Sequence, residues 1–251
     1  MTTTPKFRVT LAQTDDDMRA AQALRYDVFV AELGGTGDMV DHDAGLERDR
    51  FDPYFDHLLL YDDAAGRLVG VYRMLLAERA REAGQFYSED EYDLTPLKAT
   101  NRRVLELGRS CVHPAYRGGP AMYHLWNGLA DYVAQHGVEI LFGVASFRGT
   151  DVESLAQPLS LLHHRHLADP DLRVTAKPPH GTRMDLLRED EIDRPAAMVQ
   201  IPSLIKAYLR LGGVVGEGAY VDHAFNTTDV CLIMDTAAMS ERQKKIYGGG
   251  A

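Results

Sequence analysis

No apolar run in the 251 residues approaches the roughly 20 that a membrane-spanning helix needs. The opening stretch, MTTTPKFRVTLAQTDDD, has none of the apolar core that a signal peptide carries. Cysteine is scarce: Cys111 and Cys231 each sit in an apolar, strand-like run, which excludes a disulfide framework and leaves buried free thiols as the expectation. A cytoplasmic location follows as the expectation. HExxH, paired CxxC and Walker A motifs are missing, so no ready-made metal or nucleotide site can be read off. Positive charge is also short, with 27 Lys and Arg against 37 Asp and Glu for a formal charge of −10, which argues against a nucleic-acid surface.

What is present is ordinary for a soluble globular chain, 45% apolar and 25% charged. No repeat and no linker composition divides it. The expectation is a single α/β domain spanning residues 1–251, elaborated at its C-terminal end from about residue 150. Residues 6–12 alternate as a first strand. Asp15, Asp16 and Asp17 then open a helix over residues 18–33, with Ala20, Leu24, Val28 and Ala31 as its inner stripe. Residues 38–53 read as an acidic, irregular loop. Residues 57–63 and 67–76 flank a turn at 64–66 and predict a β-hairpin. Pro96 argues against one continuous helix through 77–101. Further on, residues 151–156 and 158–167 predict short helices, 172–178 a strand, 201–211 an amphipathic helix and 227–235 a strand.

The most organised stretch is residues 102–147. An apolar run over 104–112 meets a turn at Gly118, Gly119 and Pro120. A helix over 121–135 follows, closed by Gly137, and then a second apolar run over 140–147. This order offers backbone N–H groups to an anion at the helix N-terminus. Arg102, Arg103, Arg109, Arg117 and Arg148 gather around it, either as a docking patch for an anionic partner or as scattered solvated arginines.

Two charges stand inside apolar strand patterns. Glu106, in LEL just before Gly108, suits a general base with a raised pKa or an acid paired structurally with an arginine. Arg73, in VYRMLL, needs partners because a lone buried charge is costly, and Glu47, Asp49, Asp52 and Asp56 are available. Arg25 and Phe29 share a helix face. A cluster of Arg25, Asp49, Asp52 and Arg73 therefore reads as a structural staple or a substrate clamp. His163, His164 and His166 lack a second ligand group at a metal-binding spacing, so no metal is expected there. Ser110 and Cys111 lie near His113 only along the chain, which does not make a nucleophile–base pair.

With these residues in view, residues 102–147 resemble the acyl-donor site of the GNAT acetyltransferase fold, a central mixed sheet flanked by helices. The turn Arg117-Gly118-Gly119-Pro120-Ala121-Met122 keeps the arginine but departs from that pattern at Pro120 and Met122. The departure favours the single phosphate of a phosphopantetheine arm over coenzyme A. The segments LRYDVFVAELG, DRFDPYFDHLLL, FYSEDEYDLTPL, LELGRSCVHPAYRGG, LLHHRHL, PSLIKAYLRLGG and FNTTDVCLIM resemble, in that order, bacterial L-ornithine Nα-acyltransferases over about residues 8–247. The sparser pattern of the related acyl-homoserine-lactone synthases falls on Arg25, Phe29, Asp49, Asp52, Arg73 and Glu106. Their tryptophan after the first helix is replaced here by Gly34-Gly35-Thr36.

The resemblance implies N-acyl transfer of a 3-hydroxyacyl chain from acyl carrier protein to an amino acid. Ornithine is the leading acceptor; the alternatives are glutamine or another amino acid, then an acyl-homoserine-lactone synthase, then a non-catalytic acyl-carrier or lipid-binding module. The resemblance implies Glu106 and Ser110 as catalytic. It also implies Arg25, Phe29, Asp49, Asp52, His57, Arg73, Arg109, Arg117, Gly118, Gly119 and His164 as substrate-binding, with Arg109 and Arg117 near the phosphopantetheine phosphate. No tightly bound cofactor, metal or nucleic acid is implied. The lipid-like product makes a peripheral contact with the inner face of the cytoplasmic membrane an expectation, with residues 201–211 as its weak candidate.

Overall fold

The computed structural model describes residues 4–38 and 40–239. Residues 240–247, the far end of the family resemblance, lie outside the described residues. The chain falls into two compact units: residues 4–84 with Glu106–Gly137, and Gln85–Leu105 with residues 138–239.

In chain order the elements begin with β1 (Phe7–Leu11) and α1 (Asp15–Arg25), which continues as a π-helix over Tyr26–Glu32. Two short strands, β2 (Val40–Asp41) and β3 (Leu46–Glu47), pair with each other. Then come β4 (Asp56–Asp62), β5 (Arg67–Leu76), α2 (Ala77–Ala83), β6 (Tyr92–Asp93) and α3 (Thr95–Ala99). The organised stretch is β7 (Val104–Val112), a 3-10 turn at Pro114–Tyr116, α4 (Ala121–His136) and β8 (Ile140–Arg148). The remainder is α5 (Ala156–His166), β9 (Thr175–Ala176), β10 (Gly181–Thr182), α6 (Arg194–Gln200), α7 (Ser203–Arg210), β11 (Val214–Val215), β12 (Ala219–Asp222) and β13 (Thr227–Asp235).

In the first unit the strands run β1-β4-β5-β7. β1 pairs antiparallel with β4, and β4 with β5. Strand alternation decides what each face carries. Leu59 and Val71 are register partners and join Ala21, Leu24, Val28 and Cys111 in one buried cluster, so α1 covers that face. His57 and Arg73 are the next partners of the same parity and share it. Leu58 and Gly70 have the opposite parity and meet α4. A Cβ on Gly128 would lie 2.6 Å from Val9 Cγ1 and 3.2 Å from a Leu58 methyl, so only glycine lets α4 come this close.

α1 starts where the acidic run predicts, but its cap is Thr14. The Thr14 hydroxyl accepts the Asp17 N–H at 3.1 Å, and the Asp17 carboxylate accepts the Thr14 N–H at 3.1 Å. The π-helical stretch corrects the expected inner stripe. Its wider turn rotates the face beyond Arg25, burying Val30 and exposing Ala31.

In the second unit β8 pairs with β13 over nine residue partners, from Ile140↔Asp235 to Arg148↔Thr227, and β12 continues the antiparallel sheet to β10. The buried Tyr92 hydroxyl donates to the carbonyls of Gly218 and Asp229. Residues 172–178 yield only the two-residue β9, and the two short helices expected over 151–167 are one, α5. α7 keeps its predicted amphipathic pattern. Ile201, Ile205, Tyr208 and Leu211 are buried, so this face packs on the core. Among the described residues no helix is long and apolar enough to cross a membrane.

Candidate active site

Residues from five parts of the first unit meet on the α1 face. Arg25 is the last residue of α1, Glu47 lies on β3, Asp49 and Asp52 come from the following turn, Arg73 from β5 and Arg109 from β7. The turn fixes its own acids: Asp49 Oδ1 accepts the N–H groups of Phe51 and Asp52 at 2.8 and 3.1 Å. The Arg25 guanidinium then donates to Asp52 at 2.7 Å and to Glu47. Arg73 NH1 donates to Asp49 and Asp52, both at 2.8 Å, and its guanidinium carbon sits 4.1 Å from the Phe55 ring centre. Arg109 Nε donates to the second oxygen of Glu47 at 3.0 Å.

Three guanidiniums thus face three carboxylates, and Arg25, Glu47 and Arg73 are each 0% exposed. Burial alone would raise the Asp52 carboxyl; the Arg25 and Arg73 guanidiniums override it and hold Asp52 far below the usual carboxylate range. Glu47 is lowered against the same burial by Arg109 and Arg25. His57, 1% exposed, lies behind the cluster with Nε2 3.1 Å from the Asp52 carbonyl oxygen. Burial is the main cause of its pKa falling to about 4, against the attraction of Asp52, so His57 is neutral at pH 7.

The predicted quartet Arg25, Asp49, Asp52 and Arg73 is therefore brought together. Two corrections apply. Asp56 is not a partner of Arg73: it accepts from the Tyr132 hydroxyl at 2.5 Å, because its neighbour His57 holds the parity that faces Arg73. Arg109 joins the buried cluster, whereas Arg117 stays at the turn, bonded through both NH groups to Glu32 at 2.6 and 2.7 Å. Arg102 is likewise matched, to Asp235. Three of the five arginines around this stretch, Arg102, Arg109 and Arg117, are thus paired with carboxylates. Sequence reasoning placed Glu47 among the partners available to Arg73 but missed its pairing with Arg25 and Arg109; its one sequence signal is a carboxylate next to Leu46 in an otherwise exposed loop.

Glu106 is 1% exposed on β7. Two residues on, a Cβ on Gly108 would lie 4.0 Å from Arg73 Nε and NH2, so the strand backs directly onto that guanidinium. Arg109 follows with φ 49, in the left-handed region. Gly108 and Cys111, three apart, consequently face the same side, as happens where a strand bulges. The Ser110 Oγ is buried and has no hydrogen-bond partner among the described residues. The Cys111 thiol is pushed up to about 12 by burial, which leaves it protonated and without nucleophilic character at neutral pH.

Beyond β7, Gly118 takes φ 73 and Pro120 is the cap of α4. Gly118 and Gly119 are exposed beside the helix N-terminus. Phe29, in the π-helical stretch, is half-buried against the α1-face core. His164 belongs to the second unit, exposed, with Nε2 2.9 Å from the Leu187 carbonyl oxygen.

β7 thus carries a buried carboxylate and a left-handed residue, and a glycine turn and the α4 N-terminus follow it. The acetyltransferase (GNAT) domain family matches residues 24–127, the span holding all of these features. The chain belongs to the L-ornithine N(alpha)-acyltransferase family. It is 57% identical over 246 residues to the L-ornithine N(alpha)-acyltransferase of Rhodobacter capsulatus, covering 96% of this chain and 94% of that one. It is 41% identical over 252 residues to the enzyme of that name from Brucella abortus, covering 98% and 90%. In structure it is similar to the acyl-homoserine-lactone synthase LasI, with TM-score 0.53 and 16% identity over 99% of this chain and 98% of that one, a likeness of fold.

Proposed function

We propose that this acyltransferase moves a 3-hydroxyacyl chain from acyl carrier protein to the α-amino group of L-ornithine, giving lyso-ornithine lipid at the cytoplasmic side of the membrane. The observation that carries the acceptor is the 57% identity, spanning nearly the whole chain, to an L-ornithine N(alpha)-acyltransferase. Glu106 takes a proton from the α-ammonium, and the freed amine attacks the thioester carbonyl carbon. The new oxyanion is held by strand N–H groups of Gly108–Ser110 and by the Ser110 hydroxyl. Collapse breaks the C–S bond. The nitrogen's second proton goes to the departing thiolate, and the first leaves through Glu106 to solvent.

The phosphopantetheine phosphate meets Gly118, Gly119 and the N-terminus of α4, with Arg117 exchanging Glu32 for it. Phe29 and the buried ionic cluster wall the acceptor side, with His57 behind it. His164 stands as a further substrate-binding residue, and no tightly bound cofactor takes part.

The test incubates the purified enzyme with 3-hydroxyacyl carrier protein and, in turn, ornithine, glutamine and other amino acids, with mass spectrometry of the products. N-acyl ornithine is expected. Product from glutamine alone would move the acceptor, and no N-acyl product from any amino acid would sink the reading. Glu106→Gln should lower kcat by about 10²- to 10⁴-fold with donor KM retained; near-normal turnover would remove Glu106 as the base.

A further inference from the structure

Among the described residues two that are not glycine have positive φ, Arg109 at 49 and Asn226 at 52. Asparagine visits the left-handed region routinely because its short polar side chain bonds locally, and Asn226 lies in the turn before β13. Arginine in the middle of a strand does not. Its left-handed state is disfavoured by about five- to thirtyfold, and it persists only where the surroundings over-determine it.

One contact is built to do this. Glu47 Oε1 accepts from Arg109 Nε at 3.0 Å, and Asp49 lies 3.8 Å from Arg109 NH2. Glu47 cannot follow a relaxing arginine. Its backbone is fixed in the β2–β3 pair, register Val40↔Glu47, and its other carboxylate oxygen is held by Arg25, itself anchored on Asp52. The anchored residue is flanked by Gly108 and Ser110, whose N–H groups the acyl-transfer reading uses.

We propose that Glu47 is a positioning residue for catalysis. The chain Arg25–Glu47–Arg109 locks the left-handed turn in β7 and thereby aims the Gly108–Ser110 backbone at the thioester oxygen. Without the lock Arg109 returns to extended backbone, the strand straightens, and the oxyanion donors turn away while Glu106 stays in place. The proposal rests on the acyl-transfer reading above.

Its test compares Arg109→Gly with Arg109→Ala in the full-length enzyme, with 3-hydroxyacyl carrier protein and ornithine. Both variants delete the side chain that Glu47 holds, but only glycine takes φ 49 without strain. The glycine variant should therefore keep a kcat about five- to tenfold above the alanine variant at equal donor KM. Glu47→Gln should lower kcat about tenfold in the wild-type background and less than twofold beside Arg109→Gly. A role in stability alone would raise the Tm of the glycine variant over the alanine variant and leave their kcat values equal, which overturns the proposal. So does an alanine variant at least as fast as the glycine one, or a Glu47→Gln loss undiminished in the glycine background. If Glu47→Gln does not fold, the glycine–alanine pair decides by itself. An inactive wild type refutes the acyl-transfer reading instead, so the two failures are distinguishable.

Discussion

Acidification from pH 7 to pH 5 should destabilise the first unit through His57, before the carboxylates of the ionic cluster are protonated. His57 is buried and neutral, with its pKa lowered from the usual 6.5 to about 4. The unfolded chain therefore binds a proton below pH 6.5 that the folded chain refuses until about pH 4, and stability falls as pH falls through that window. With those two values, His57 alone removes about 2 kcal/mol between pH 7 and pH 5. Glu47, Asp49 and Asp52 are lowered as well. The stability they confer is present above the ordinary carboxylate range and is lost as pH falls through and below it, so they contribute little between pH 7 and pH 5. His113 and His166 are also lowered and add smaller terms, so the comparison must be differential. Urea unfolding of wild type and His57→Asn at pH 7, 6 and 5 reads the effect. The asparagine variant should start less stable at pH 7 and lose about 2 kcal/mol less than wild type on going to pH 5. Parallel curves for the two proteins would refute the assignment of His57 as a neutral, buried brace of the Asp52 turn.

Glu32→Gln releases Arg117 from a rim ion pair whose side chains are 41% and 34% exposed, a contact worth at most about 1 kcal/mol. Donor KM should fall by up to about fivefold with kcat unchanged, read by steady-state kinetics with acyl carrier protein; an unchanged or higher KM would place the donor phosphate away from Arg117. Arg73→Met leaves Asp49 and Asp52 buried with one bonded guanidinium fewer, so urea unfolding should show a loss of about 3–5 kcal/mol or no folded protein at all. Cys111→Ala should keep turnover within about twofold, and iodoacetamide should not inhibit the native enzyme, because both thiols are buried and the Cys111 thiol is held protonated.

Much of this site was legible because a charge inside an apolar strand demands a partner. Arg73 in VYRMLL and the acids after Leu46 could satisfy one another only by folding the acidic loop onto the sheet, and Arg25 followed from helix spacing. Parity along the hairpin then fixed which acid could serve, a step that needs the register His57↔Arg73 rather than composition. Two features left no such trace. The π-helical turn after Arg25 adds residues to each turn without changing the residue types, so a period of 3.6 placed Ala31 on the inner stripe, whereas the fold exposes it and buries Val30. The left-handed Arg109 is invisible for a related reason: arginine carries no preference for that conformation, and a contact with Glu47, 62 residues away in the chain, imposes it.

That contact also bears on the choice between staple and clamp. Three guanidiniums face three carboxylates, so the cluster balances these charges internally, and Arg25 and Arg73 are 0% exposed. Replacing one member leaves an uncompensated buried charge. On the acyl-transfer reading proposed above, the chemistry belongs at the edge, where the Arg109 side chain keeps 12% of its surface exposed and β7 turns. On that reading the interior acids and arginines act on substrate through the backbone they hold in place, so their effects should appear in kcat at fixed donor KM rather than as lost affinity.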